Sequence, residues 1–141
     1  MPLPALGLIP LAIYAAHLRY NVSTQRGVNS LWICHIALLL QGFGLFLRKR
    51  WTLGVACIWQ IIGLAGWIFD MITTGERSIT SVLSHIGGLG ISLFSVSRTG
   101  VDRADWARAS AFFLGLQEFC RRSIPPDLNV NAAFEVRPEV K

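Results

Sequence analysis

Charge is scarce in this chain. Of its 141 residues 15% are charged and eight are acidic, whereas charged side chains make up roughly a quarter of a soluble domain. That leaves too little ionic surface for a water-soluble globule and points to a single-domain integral membrane protein. Histidine and cysteine are also sparse, three of each. No pair of them has a spacing such as His-x-x-x-His, so no metal and no cofactor is expected. Internal repeats and low-complexity runs are missing, and without an inverted repeat the chain makes a thin transporter unless it works as an oligomer. A basic patch interleaved with aromatics is missing too. The 13 basic residues, net charge +5 and isoelectric point near 9.7 belong to arginines and lysines set between and beside apolar runs. That pattern suits loops facing phosphate headgroups and argues against nucleic acid.

What the chain has in quantity is apolar length: 52% apolar side chains and a mean hydropathy of +0.49. Stretches near 3–18, 31–47, 53–72 and 79–97 approach the roughly 20 residues of a spanning helix. Pro10 removes a donor from the first, which a neighbouring helix must offset. A cleaved signal peptide competes for that stretch, but Met1 to Pro4 carries no basic n-region and no small-x-small site precedes His17. It is read as a first span. The stretch 106–120 is less apolar, with Arg108, Ser110, Gln117 and Glu118. Asp105 suits its N-cap, and Arg121 and Arg122 suit its C-terminal dipole. A helix is expected there, crossing the bilayer or lying in its interface, with crossing favoured. The expectation is an all-α polytopic membrane bundle of four to five transmembrane helices over 1–122. An extended or disordered tail follows over 123–141, because Pro125, Pro126, Asp127, Asn129 and Asn131 oppose a helix.

Basic residues orient such a bundle. With five spans, Arg48, Lys49, Arg50, Arg98, Arg103 and Arg108 fall on the N-terminal side and Arg19, Arg26, Arg77, Arg121 and Arg122 on the other. The Arg48-Lys49-Arg50 cluster tilts the balance toward a cytoplasmic N-terminus in a bacterial inner membrane.

Up-down threading brings His17, Cys34, His35, Asp70 and His85 to one depth beside one face. Ionisable groups inside hydrocarbon are costly and mark pockets, pathways or relays. Gln60, Gly63, Trp67 and Asp70 share one helical face, and Ser81, Ser84, Gly88, Ser92 and Ser95 form a comparable stripe with His85 at its edge. The small residues are explained by close helix packing. Plainer roles exist for the rest: a solvated helix end for Asp70, an interhelical hydrogen bond for His85, a small buried hydrophobe for Cys34 and an interfacial anchor for His17.

Three chemistries fit the set. A thiol-imidazole pair, Cys34 attacking with His85 as base and Asp70 in support, suits acyl hydrolysis or transfer on a lipid. A metal suits the ligand types of His17, Cys34, His35, His85 and Asp70 but lacks spacing. A polar relay through Asp70 and His85 suits ion movement. Asn129 and Asn131 cap the pocket if the tail folds back. A disulfide between Cys34 and Cys120 is conceivable when the fifth helix crosses, and would remove the nucleophile.

Asn29-Ser30-Leu31-Trp32-Ile33-Cys34, Trp67-Ile68-Phe69-Asp70, Ser84-His85, Gly100-Val101-Asp102-Arg103 and Asn129-Val130-Asn131 together resemble an uncharacterised bacterial family of multi-pass integral membrane proteins over residues 20 to 135. The resemblance implies architecture and no activity. Where that family carries Asp after the motif cysteine and an aromatic after Asn-x-Asn, this chain has His35 and Ala132. Leu31 to Cys34 and Ser84-His85 are also distantly similar to multi-pass lipid acyltransferases and intramembrane lipid hydrolases, which implies a Cys34/His85 pair. The leading expectation is a non-enzymatic membrane component with a polar pocket at one face, its partners the bilayer and a lipid or membrane protein. The alternative is the lipid-directed acyl hydrolase or acyltransferase.

Overall fold

The computed structural model describes residues 3–24, 26–75 and 78–123, and all elements among them are helical. A single turn, Leu3–Leu6, leads into α1 (Leu8–Ser23). A 3-10 turn, Gly27–Leu31, leads into α2 (Ile33–Phe46). Then come α3 (Arg50–Thr74), α4 (Ile79–Thr99) and α5 (Arg103–Ser123). Residues 50–73 of α3 and the whole of α4 are long and apolar enough to cross a membrane.

Each helix ends for a local reason. The turn after α2 closes through Leu47 N–H to Phe43 O and Lys49 N–H to Gly44 O, at 2.8 and 2.9 Å. Gly75, in the left-handed region at φ 70°, stops α3, a conformation that carries no steric penalty without a Cβ. Ser78 caps α4, its hydroxyl accepting from Ser81 N–H at 3.1 Å. Before α5, Asp102 Oδ1 accepts from Ala104 N–H at 3.2 Å, while Asp105 Oδ2 accepts from Asp102 N–H at 2.9 Å. This reciprocal box makes Asp102 the N-cap and puts Asp105 inside the first turn. The sequence expectation of Asp105 as cap and a helix from 106 is therefore corrected, and α5 starts three residues earlier.

The hairpin of α2 and α3 is the most extensively packed pair, and α3 also carries α4 and α5. Glycines mark the crossings. A Cβ on Gly63 would lie 2.5 Å from the Cβ of Cys34 and 3.2 Å from its Cα, so the backbones of α2 and α3 approach closely there, whereas a Cβ on Gly88 would meet the side chains of Gln60, 2.6 Å from Nε2, and Leu38. Ala37, Val55, Ala56, Ile58, Trp59 and Ala109 form the buried apolar cluster between α2, α3 and α5. Trp59 Nε1–H donates across it to the Ala109 carbonyl at 3.1 Å. Outward faces carry Phe43, Ile61, Ile62, Phe69, Ile72, Ile86, Leu93, Phe94 and Leu114, all exposed. Exposed apolar side chains are thus numerous on the outward faces, the two membrane-length helices included.

Candidate functional site

The site lies where α1 ends, α2 begins, α3 ends and α4 begins. A cavity of about 310 Å³ there is walled by His17 from α1, His35 from α2, Trp67 and Asp70 from α3, and Ser81 and His85 from α4. Arg26 and Asp70 bring opposite charges to its lining. The three histidines are 4%, 4% and 2% exposed and form a chain. Ring centroids are 4.2 Å apart between His17 and His35 and 5.3 Å apart between His35 and His85.

Local structure explains how each ring is held. His17 Nδ1 lies 3.1 Å from the Thr80 hydroxyl, linking α1 to α4. Asn21, one turn on, donates through Nδ2 to Ser30 Oγ at 3.0 Å and ties α1 to the 3-10 turn before α2. His85 sits in a π turn, Leu83–Gly87, inserted in α4. Such wide turns interrupt α-helices mostly at functional sites, and this one holds both His85 and its neighbour Ser84 in the interior. Its Nδ1 lies 2.8 Å from the Ser81 carbonyl and 3.2 Å from Ser84 Oγ. A carbonyl only accepts, so Nδ1 bears a proton, and in the neutral ring Nε2 then carries the lone pair. Trp67 stacks on the other side of the ring, 4.9 Å between centroids.

Cys34 belongs to the cluster without reaching the cavity. It is 0% exposed, and one donor atom from each of Cys34, His35 and His85 lies within 4.8 Å of the other two. Gln60 Nε2 donates to the Cys34 carbonyl at 3.0 Å, fixing α3 against the start of α2. All three cysteines are buried free thiols, so the disulfide between Cys34 and Cys120 does not form here. Asp70 is half-buried at the cavity wall. Asn129 and Asn131 lie outside the described residues.

Deeper in the bundle Gln41, which sequence reasoning missed, donates through Nε2 to Ser92 Oγ at 2.9 Å. It is 0% exposed. A lone glutamine inside Leu38-Leu39-Leu40 and Gly42-Phe43-Gly44 was the available signal. On the other flank an apolar groove of about 400 Å³ runs between α2, α3 and α5, lined by Ile33, Ile62, Phe113, Leu116 and Cys120 among others. Trp32 is a wall of both the polar cavity and this groove.

No family model, curated protein or solved structure matches the chain. The chemistry must be read from the residues.

Proposed function

We propose that this chain is a polytopic membrane protein, a non-enzymatic component of a bacterial inner membrane whose polar cavity at one face receives a polar group from a ligand or partner. The cavity itself carries this reading: three imidazoles and a carboxylate drawn from four helices around about 310 Å³, in a bundle that is apolar outside. Groups so costly in hydrocarbon are retained where they do something.

The favoured topology has five crossings. Support for the fifth comes from the path of α5. It starts with Asp105 packed on Gly54 near the beginning of α3 and reaches, at Cys120, the groove beside Trp32 and Gly66. At 21 residues it is about 31 Å long, matching a hydrocarbon core of about 30 Å. Arg108 pairs with Asp105 at one end, and Arg121 and Arg122 with Glu118 at the other. Charge is thereby concentrated toward the two interfaces.

Single cysteines introduced at Thr24, Arg48 and Ser123 test this with a membrane-impermeant thiol reagent on intact and opened cells. Five crossings put Ser123 with Thr24, opposite Arg48; four put it with Arg48. Release of the protein by alkaline carbonate would overturn the membrane reading.

One observation favours the lipid-directed acyl hydrolase or acyltransferase as a second reading. The apolar groove, of a size for an acyl chain, shares Trp32 with the polar cavity, and Cys34 neighbours His85. Against it, Cys34 lines neither space. Membrane lipid profiles from cells making wild type, Cys34→Ala and His85→Ala at matched levels decide. Acyl-chain changes confined to wild type would favour the enzyme.

A further inference from the structure

Cys34, His35 and His85 are the densest group of soft and borderline metal ligands among the described residues. An ion bound tetrahedrally by one sulfur and two imidazole nitrogens holds those atoms about 3.4 to 3.6 Å apart. The observed separations, with one donor atom taken from each residue, are all within 4.8 Å, so they exceed the bound geometry by at most about 1.4 Å. The start of α2 supplies two of the ligands and the π turn of α4 the third, so an ion draws them together by side-chain rotation at Cys34 and His35 along with closer approach of the two helices.

His85 adds the independent observation. Its Nδ1–H is committed to the Ser81 carbonyl, and its Nε2 is buried with no hydrogen-bond partner among the described residues. An unpaired acceptor in a buried site is costly. A metal-binding imidazole is oriented in this way, its second nitrogen donating to a carbonyl that fixes tautomer and ring angle. Trp67, stacked on the ring, restricts its rotation further.

We propose that Cys34 Sγ, His35 and His85 Nε2 bind one transition metal ion, with the fourth position open to the polar cavity. A thiolate with two imidazoles selects zinc, copper or a similar ion over magnesium or calcium, which take oxygen ligands. Binding forms a metal–sulfur bond and releases the thiol proton to solvent, with no change of oxidation state. The remaining positive charge faces a cavity that also holds the Asp70 carboxyl group. This inference deepens the pocket reading and rests on it, since the open position is useful only if the cavity admits a ligand.

The test is cobalt titration of the full chain, purified in detergent and stripped with a chelator. Expected are a near-ultraviolet thiolate-to-cobalt charge-transfer absorption and visible bands of a four-coordinate ion, saturating at one ion per chain and displaced by zinc. Cys34→Ser should abolish the charge-transfer absorption, and His85→Gln, which removes a ligand outright, should lower affinity by more than the roughly 10- to 100-fold that loss of an outer-shell partner costs. The double variant Cys57→Ser with Cys120→Ser should keep the wild-type spectrum. If either site variant fails to fold, the wild type and the double variant still decide. No charge-transfer absorption in wild type, or its loss in the double variant, overturns the proposal. Modification of His17 by diethyl pyrocarbonate, read by mass spectrometry, separates the two ideas. With no cobalt spectrum, a modified His17 leaves the pocket standing and removes only the metal, whereas an unmodified His17 removes both.

Discussion

The indole of Trp67 lies flat on the imidazole of His85, with planes 12° from parallel. Trp67 is buried in the last turns of α3 and His85 in the π turn of α4, so the stack joins the two membrane-length helices at the level of the cavity. Ring offset and polarity make such pairs favourable beyond their buried area. Trp67→Ala should therefore cost about 3 to 5 kcal/mol, and Trp67→Phe, which keeps a ring there, about 1 to 2 kcal/mol. Thermal unfolding in detergent followed by circular dichroism checks the order. Equal losses for the two variants would show that the ring contact contributes nothing.

Gly63 and Gly66 lie one turn apart on α3 in opposite steric situations. A methyl at Gly63 runs into the Cβ and backbone of Cys34, whereas at Gly66 nothing lies within 4 Å. Gly63→Ala should lose about 1 to 3 kcal/mol through overpacking. Gly66→Ala should gain up to about 1 kcal/mol from helix propensity. The same melting experiment measures both, and a stable Gly63→Ala would mean that α2 and α3 can separate at the site.

How much of this was legible beforehand depended on the kind of signal. The common depth of His17, His35, Asp70 and His85 followed from chain direction alone, because short loops reverse each helix. The inward face of Gln60, Gly63 and Trp67 followed from helical period. A π turn cannot be read that way, because the period assumes 3.6 residues in every turn, and the wide turn at Leu83–Gly87 carries no signature of its own in the pattern of apolar residues. Gln41 was missed because a lone polar residue in an apolar run has no period. Asp105 was mistaken for the cap because the preceding turn is polar. Only the hydrogen bonds distinguish the capping residue from its reciprocal partner three positions on.

Gln41 and Ser92 offer a measure of how polar contacts hold this interior. Nε2 reaches Ser92 Oγ at 2.9 Å, while Oε1 has no hydrogen-bond partner among the described residues. Interhelical bonds in apolar surroundings average about 0.6 kcal/mol and reach about 1.7. A double-mutant cycle of Gln41→Leu and Ser92→Ala should give a coupling in that range. Additive losses would show that the two side chains act separately.

The contact of α5 with α3 carries a sharper form of non-additivity. Asp105 is buried against Gly54, whose missing Cβ leaves room for the carboxylate. The same carboxylate accepts from Asp102 N–H at 2.9 Å and from Arg108 Nη1 at 2.7 Å. Gly54→Ala alone should therefore be strongly destabilising, since the methyl displaces a fully bonded charge. Asp105→Ala alone should also be destabilising, because it strips the capping box and leaves Arg108 without that partner. In the double variant the methyl enters space that the carboxylate has vacated. Its loss should fall short of the sum of the single losses by about 1 to 3 kcal/mol, read from unfolding in detergent. Strict additivity would mean that α5 does not rest on Gly54, and the support that this contact lends to a fifth crossing would go with it.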